Sequence, residues 1–293
     1  MTDGLCGLLV VDKPAGMSSH GVVGRVRRLA GTRRVGHAGT LDPMATGVLV
    51  LGIGRGTRLL TYLVGADKEY LATIRLGAAT TTDDAEGEVV TTADASHLTG
   101  PDVSMAMAPL RGTFDQVPSA VSAIKVDGKR AYARVRDGEQ VTLAARRVSV
   151  TAFDLMAART DEPFVDVDVH VACSSGTYVR ALARDLGAAL GVGGHLTSLR
   201  RTRVGPFTLQ SAHPLDELCA PIDDVLVPLG VAAASFLPDR TLTDDEAARV
   251  RHGVAPAPTG TSGAVALRDA DGVLIAVAED AGPRADLRAV FVG

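Results

Sequence analysis

The chain has 293 residues, of which 46% are hydrophobic and 22% are charged, and its formal net charge is −4. That is the composition of a folded globular protein, and it excludes a disordered, a collagen-like or a disulfide-stapled class. No apolar stretch reaches the ~20 residues that cross a bilayer and no secretory signal is recognisable, so we expect a cytoplasmic protein that makes no membrane contact.

Short strands and a helix are predicted in the first part of the chain. Residues 8–11 form an apolar run that is closed by a Pro/Gly turn, which is typical of a buried strand. A helix follows, because valines recur at helical spacing after Ser18 and Ser19, either of which can cap it. A glycine-rich loop at 36–43 then leads into a second buried strand at 48–51.

The middle of the chain carries the clearest strand signal. Valines alternate with polar residues over 164–171, as in a strand with one buried face. The polar segment 80–88 is rich in acids, and we interpret it as a surface loop rather than a cation site. The other elements predicted here are helices at 57–64 and 177–190, a strand at 70–76, and a strand end, turn and short helix over 125–138.

The sequence changes character near residue 235. A basic strand is predicted within 193–209, whereas a helix beginning near Thr243 and two later β runs follow the change. We therefore expect a larger domain at 1–235 and a small β-rich domain at 236–293. Strands and helices that do not alternate strictly indicate the α+β class.

Charge is distributed unevenly along the chain. The first 60 residues carry 8 Lys+Arg and 3 Asp+Glu, whereas the residues from 211 onward carry 6 and 13. A polyanion would therefore be bound by local basic clusters, although any one cluster alone is more commonly a solvated surface. These clusters lie at 25–28, 33–34, 129–130, 146–147 and 200–203.

Several common kinds of site are absent from the sequence. The three cysteines are far apart, and neither they nor the seven histidines have a metal-binding spacing. The glycines of 52–56 follow a strand, but the third is one place short of a dinucleotide-binding fingerprint, so we interpret them as a turn. We therefore expect neither a metal nor a cofactor.

One segment favours catalysis, the run Gly36–Gly47 with the sequence GHAGTLDPMATG. Three glycines and a proline within it hold a defined loop shape, so Asp42 is presented from rigid backbone rather than from a helix face. A turn-forming aspartate is the alternative interpretation.

This segment resembles the catalytic motif of the TruB family of pseudouridine synthases, which modify the T-loop of tRNA. The resemblance continues in order over about residues 7–210. It implies the pseudouridine synthase fold, a mixed and largely antiparallel sheet with flanking helices, and more weakly a small β-rich PUA-like C-terminal domain. The matching segments are 8–16, 36–47, 68–70, 80–87, 118–128, 173–180 and 194–201.

The resemblance implies a cofactor-independent isomerase that detaches the base of the T-loop uridine at position 55 and reattaches it through carbon. The essential carboxylate of the family corresponds to Asp42, and whether it attacks the sugar or first removes a ribose proton stays open. Arg180 corresponds to an arginine that keeps the aspartate ionised, and Tyr70 to a tyrosine that stacks on the base. A structural ion pair and a core aromatic are the alternatives for these two residues.

The family acts on a base that is turned out of the folded T-loop, so phosphate contacts and stacking must offset the unstacking. His37 corresponds to a residue that holds the T-loop nucleotides, and a loop histidine bonded to backbone is the alternative. We expect tRNA as the partner of a monomeric chain, with few contacts from its acidic tail. The other predicted RNA contacts are Lys13, Lys68, Arg25, Arg28, Lys125, Lys129, Arg130, Arg200 and Arg201.

Two other functions share some of these features. A non-catalytic tRNA-binding or tRNA-folding module would have every binding feature, but it would tolerate the loss of the Asp42 carboxylate. A nucleotide-dependent enzyme that used the glycines of 52–56 would need an added cofactor.

Overall fold

The computed structural model describes residues 4–119 and 143–292, and the backbone alone of 125–126 and 129–130. The helices of this part of the chain are α1 (Ser19–Leu29), α2 (Gly56–Leu63), α3 (Gly100–Met107), α4 (Val179–Ala189), α5 (Leu229–Ala234) and α6 (Asp244–Arg251). The strands are β1 (Gly7–Lys13), β2 (Val35–Ala38), β3 (Thr46–Ile53), β4 (Lys68–Leu76), β5 (Ala78–Thr80), β6 (Val89–Thr92), β7 (Gly112–Gln116), β8 (Lys125–Val126), β9 (Lys129–Arg130), β10 (Arg146–Asp161), β11 (Phe164–Cys173), β12 (Gly194–Val204), β13 (Phe207–Thr208), β14 (His213–Pro214), β15 (Asp239–Thr241), β16 (Ala264–Arg268), β17 (Leu274–Ala281) and β18 (Arg284–Val290). None of these described helices is long and apolar enough to cross a membrane.

The chain divides into two compact units. Unit 1 combines the two ends of the chain with a short interior segment, and unit 2 contains most of the middle. Unit 1 consists of Met1–Pro43, Gly47–Ala66 and Val204–Gly293. Unit 2 consists of Met44–Thr46 and Asp67–Arg203.

The main sheet of unit 1 is built around β1, whose apolar residues are all buried. β1 pairs with β3 in antiparallel and with β14 in parallel orientation, and β2 pairs with β3 in antiparallel orientation. The valines of α1 pack on one face of this sheet in a common cluster with β1 and β3. The helix predicted from valine spacing is therefore confirmed, with Ser18 as its N-cap.

A four-stranded sheet completes unit 1, in the order β15-β16-β17-β18. β15 and β16 are parallel, and the other pairs are antiparallel. One set of its apolar residues packs with α6 in a separate cluster. Other apolar residues of this region, Leu274, Val277 and Phe291, share a cluster with Leu8 of β1 and Leu59 of α2. The acidic C-terminal region thus contributes to the same hydrophobic core as the first strand.

The sheet of unit 2 has the order β12-β4-β11-β10-β7, with antiparallel pairing from β4 to β7. Every second residue of β11 is buried, which confirms the alternating pattern predicted for this strand. α4 lies against β4 and β5, and it begins one residue before Arg180.

The α+β class and the mixed sheet are confirmed, because β1 has one antiparallel and one parallel neighbour and helices flank both sheets. The glycines of 52–56 form the tight turn between β3 and α2 that was predicted. The loop predicted at 36–43 is partly wrong, because its first residues pair with β3 as part of β2. The elements predicted over 125–138 lie outside the described residues, apart from the backbone of β8 and β9.

Candidate active site

Asp42 lies on the loop between β2 and β3 and is half-buried. The glycines at the two ends of this loop adopt backbone angles that other residues avoid, since φ is +85° at Gly39 and +100° at Gly47. The side chain of Leu41, next to Asp42, is only 4% exposed and anchors the loop in the core. Asp42 is therefore presented from a backbone whose shape is fixed.

Hydrogen bonds tie both neighbours of Asp42 to the segment that joins β1 to α1. On one side, the Ser19 hydroxyl accepts from the Leu41 N–H at 2.8 Å and donates to the Leu41 carbonyl at 3.0 Å. On the other side, the Pro43 carbonyl accepts from the Gly16 N–H at 2.9 Å. The direction in which Asp42 leaves the loop thus depends on residues more than 20 positions earlier.

Lys13 has a structural position in this region. Its side chain is fully buried, and its ammonium group donates to the carbonyls of Pro14, Met17 and Pro43 at 2.8, 2.6 and 3.2 Å. The prediction of an RNA contact for Lys13 is wrong, because this ammonium group has no exposed surface and is directed at carbonyls. A buried cation satisfied in this way stabilises the turn that precedes α1 and the loop that carries Asp42.

His37 lies on β2, where it pairs with Leu51 of β3, and not in a loop as predicted. Its ring contacts the ring of His20 edge to face, with the centroids 5.5 Å apart. Both histidines belong to unit 1 and lie on the elements that flank the Asp42 loop. The role of His37 in holding nucleotides remains a prediction.

Tyr70 lies on β4, with its side chain on the buried face of the strand. The residue is 6% exposed and pairs with Val171 of β11. Lys68 lies two residues earlier and shares this face, as the alternation of a strand requires. Unit 2 therefore brings Lys68 and Tyr70 together, as the Lys-x-Tyr segment predicted.

Lys68 and Arg201 form a pair of buried cations on neighbouring strands. They are 7% and 1% exposed, so the prediction that they contact RNA from the surface is wrong. Burial, and then the positive charge of Arg201, lower the pKa of Lys68 to about 8. The sequence shows that these residues are charged, but their burial is determined by which face of β4 and β12 they occupy.

Arg180 lies in the first turn of α4 and is 5% exposed. Its Nη1 donates to the Thr82 carbonyl at 2.9 Å and lies 3.4 Å from Oδ2 of Asp84. Asp84 is itself 3% exposed, and its Oδ1 accepts from the hydroxyl of Thr82 and from the Glu86 N–H. A buried carboxylate therefore holds one side of the Arg180 guanidinium in a fixed direction.

The interpretation of 80–88 as a surface loop is wrong for its aspartates. Asp84 is buried against Arg180, and Oδ2 of Asp83 lies 3.3 Å from Nη1 of Arg184. Burial raises the pKa of Asp83, and the charge of Arg184 acts in the opposite direction. Acidic residues in a polar segment gave no signal that two arginines of a helix about 100 positions later would cover them.

Gln116, at the end of β7, is a second contact that sequence reasoning missed. It is 2% exposed, and its amide accepts from the Tyr178 N–H at 2.8 Å and donates to the Tyr178 carbonyl at 3.1 Å. Tyr178 is the N-cap residue of α4, so this pairing fixes the start of the helix that carries Arg180. A single glutamine within a β pattern carries no sequence signal for such a contact.

The remaining predicted RNA contacts are arginines with accessible guanidinium groups. Arg28 is exposed, whereas Arg25 forms an ion pair with Asp216 at 2.8 Å. Arg200 is partly exposed and donates to the Thr46 hydroxyl at 3.3 Å. The predictions for Lys125, Lys129 and Arg130 concern side chains outside the described part of the chain.

The predicted catalytic residues are distributed over both units. Asp42 belongs to unit 1 together with His37, and Arg180 belongs to unit 2 together with Tyr70. Each unit thus brings together its own members of the predicted set. The pairing of Asp42 with Arg180 remains a prediction.

Three family models match the chain. The model for the TruB family pseudouridylate synthase (N terminal domain) matches residues 27–179. The model for the tRNA pseudouridylate synthase B C-terminal domain matches residues 180–229, and that for tRNA pseudouridine synthase II, C terminal, matches residues 237–292. These matches follow one another along the chain without overlap.

Similar proteins cover nearly the whole chain. The tRNA pseudouridine synthase B of Mycobacterium sp. (strain KMS) is 59% identical over 280 residues, which are 95% of this chain and 93% of that protein. The tRNA pseudouridine synthase B of Thermobifida fusca (strain YX) is 56% identical over 98% of this chain and 99% of its own. Among solved structures, a chain of a Cbf5-Nop10-Gar1 complex superposes with a TM-score of 0.74 at 25% identity, over 98% of this chain and 85% of that chain.

Proposed function

The chain belongs to the TruB family of pseudouridine synthases, and we propose that it converts the T-loop uridine at position 55 of tRNA into pseudouridine. In this isomerisation the bond between N1 of the base and C1′ of the ribose breaks, a bond between C5 and C1′ forms, and the hydrogen of C5 passes to solvent. Base, sugar and electrons balance without an oxidant, a reductant or a second substrate, so the reaction is cofactor-independent.

Asp42 is the essential carboxylate in this proposal. The observation that carries it is the rigid presentation of this half-buried residue, with the backbone of Leu41 and of Pro43 tied to the β1–α1 segment. A carboxylate so presented can attack C1′ of the ribose or remove a ribose proton, and both routes need its ionised form.

Arg180 and Tyr70 complete the proposed catalytic set. We propose that the guanidinium of Arg180, oriented by Asp84 and the Thr82 carbonyl, keeps Asp42 ionised and directed at the sugar. Tyr70 stacks on the flipped base, and its position on the buried face of β4 gives that contact a dry environment.

The tRNA contacts follow from base flipping. Turning the uridine out of the T-loop costs a few kcal/mol, which phosphate contacts and stacking offset. We propose that Arg25, Arg28 and Arg200 bind phosphates, that His37 holds the T-loop nucleotides, and that Lys125, Lys129 and Arg130 add to the RNA contact. The chain acts as a monomer in the cytoplasm, with neither a metal nor a cofactor.

The division of labour along the chain is part of the proposal. We propose that residues 1–235 form the catalytic domain and that residues 236–293 form a PUA-like domain. Because the C-terminal region is rich in acids, it makes a few local contacts to tRNA rather than a broad one.

An Asp42→Asn variant tests the proposal. The variant keeps the size and shape of the side chain and removes its charge, so we expect no turnover and an unchanged tRNA affinity. The assay is tritium release from tRNA transcript labelled at C5 of uridine, without additives, followed by mapping of the modified position. A variant that releases tritium at the rate of the natural chain would show that Asp42 is not the essential group. No release by the natural chain itself would favour the non-catalytic binding module.

A further inference from the structure

Two consecutive serines precede the valines of α1, and the structure gives them different functions. Ser18 is the N-cap, because its hydroxyl accepts from the Gly21 N–H at 3.1 Å on the exposed surface. Ser19 is the first residue of α1 and is 1% exposed. Since Ser18 already caps the helix, the Ser19 hydroxyl is available for a partner outside the helix.

That partner is Leu41, the residue immediately before Asp42. The Ser19 hydroxyl accepts from the Leu41 N–H at 2.8 Å and donates to the Leu41 carbonyl at 3.0 Å. The carbonyl belongs to the peptide bond that Leu41 shares with Asp42, so its orientation sets the direction in which the Asp42 backbone continues. One hydroxyl thus fixes two backbone groups adjacent to the carboxylate.

The two sides of the loop differ in how many groups hold them. The Pro43 carbonyl accepts from two separate donors, the Gly16 N–H at 2.9 Å and Nζ of Lys13 at 3.2 Å. Both bonds to Leu41 come from one side chain. A single substitution at Ser19 therefore removes two backbone bonds, whereas the other side keeps one bond when either donor is lost.

We propose that Ser19 is a positioning residue for the reaction, which acts through the backbone of Leu41 to aim the carboxylate of Asp42. This inference rests on the proposed function, because it assigns Ser19 a role only if Asp42 is the essential group. Ser19 does not touch the substrate. Its loss lets the Asp42 loop sample orientations in which the carboxylate misses the ribose, so the chemical step slows while tRNA binding is preserved.

Four variants test the inference by single-turnover tritium release and by tRNA affinity in filter binding. Ser19→Ala removes both bonds, and Ser19→Cys keeps the shape of the side chain but has only a weak donor and a weak acceptor. Ser18→Ala is the matched control, because it deletes the neighbouring hydroxyl and a helix cap without touching Leu41. Asp42→Asn reports on the proposed function independently.

We expect Ser19→Ala to lower the single-turnover rate by about 10- to 100-fold with a tRNA Kd within about twofold of that of the natural chain. Ser19→Cys gives a smaller loss in the same direction, and Ser18→Ala keeps the rate within about threefold. Should Ser19→Ala fail to fold, the rate of Ser19→Cys decides.

Two results would overturn the inference. A Ser19 variant as fast as Ser18→Ala would show that the bonds to Leu41 do not aim the carboxylate. A loss of tRNA affinity as large as the loss of rate would show that Ser19 supports the fold in general. An active Asp42→Asn variant would instead reject the proposed function, whatever the Ser19 variants do.

Discussion

Asp84 shows how a single buried residue controls the geometry of the site. Its carboxylate faces the Arg180 guanidinium at 3.4 Å, and both side chains are almost fully buried. Removing one partner of such a pair leaves the other charge uncompensated in a medium of low dielectric constant. The direction of Arg180 therefore depends on a residue that has no direct part in the proposed chemistry.

We expect Asp84→Asn to lower turnover by about 100-fold, because a neutral amide holds the guanidinium less firmly. The free energy of unfolding falls as well, by up to about 3–5 kcal/mol. Single-turnover tritium release and urea denaturation measure the two effects. Asp94→Asn is the matched control, since Asp94 is exposed and bonded to Ser96 alone among the printed-sequence neighbours of its loop. Equal rates for the two variants would contradict the role of Asp84.

The cysteines differ in their expected reactivity. Burial raises the pKa of Cys173 to about 11, and hydrogen bonding by Thr177 acts in the opposite direction. At pH 8 only about one in a thousand Cys173 side chains is then a thiolate, the form that reacts with alkylating reagents. We expect exposed Cys219 to be labelled first and Cys173 only after unfolding, as measured by peptide mass spectrometry. Labelling of both at one rate in the folded protein would contradict the burial of Cys173.

The sequence alone predicts which residues carry charge, but not where the charges lie. The Asp42 loop could be singled out because its glycines and proline occur in one continuous segment. Lys13, Lys68 and Arg201 were misplaced on the surface, since the face of a strand is decided by pairing with distant strands. Asp84 was missed for the same reason.

At the scale of elements, close contact between α4 and β12 brings the helix that carries Arg180 against the sheet of unit 2. A Cβ atom on Gly187 of α4 would lie 2.1 Å from the backbone nitrogen of Gly194, the first residue of β12. No side chain fits in that space, so a glycine in the helix interior is required despite its low helix propensity.

Gly187→Ala should therefore destabilise the protein by about 1–3 kcal/mol, because backbone must shift to admit the methyl group. Gly24→Ala is the matched change in α1, where a Cβ would meet nothing within 4 Å. There the substitution stabilises the helix by about 0.5–1 kcal/mol. Urea denaturation of both variants measures the difference, and a Gly187→Ala variant as stable as Gly24→Ala would disprove the close contact.

Elements with strong local patterns were predictable. The valine alternation of β11 and the helical valine spacing of α1 were both confirmed, since these patterns follow from burial of one face. β2 was missed because its four residues, Val35–Ala38, contain a glycine and a histidine and owe their strand geometry to pairing with β3. Tertiary pairing of this kind leaves no trace in a short segment.

At the scale of the whole molecule, charge is separated along the sequence. The first 60 residues are basic and the residues from 211 onward are acidic. Binding to tRNA should therefore depend on a limited number of arginines near the N-terminus, and it should weaken as salt displaces them from phosphates.

We expect the logarithm of the tRNA affinity to fall linearly with the logarithm of salt concentration between about 50 and 200 mM. Arg28→Gln should reduce the slope by about 1, as the loss of one phosphate contact requires. Arg284→Gln, an exposed arginine of the acidic region, serves as the control and should leave the slope unchanged. Filter binding at several salt concentrations measures both, and identical slopes for all three proteins would argue against a phosphate contact at Arg28.

The shared core of unit 1 has a consequence for biosynthesis. Leu8 and Leu59 pack with Leu274, Val277 and Phe291, which are among the last residues to be made. A ribosome that adds about 5–20 residues per second needs roughly 10 to 50 s to reach them after the first strands have emerged. For that time the nascent chain carries uncovered apolar strands, so its earliest segments depend on chaperone protection until translation ends.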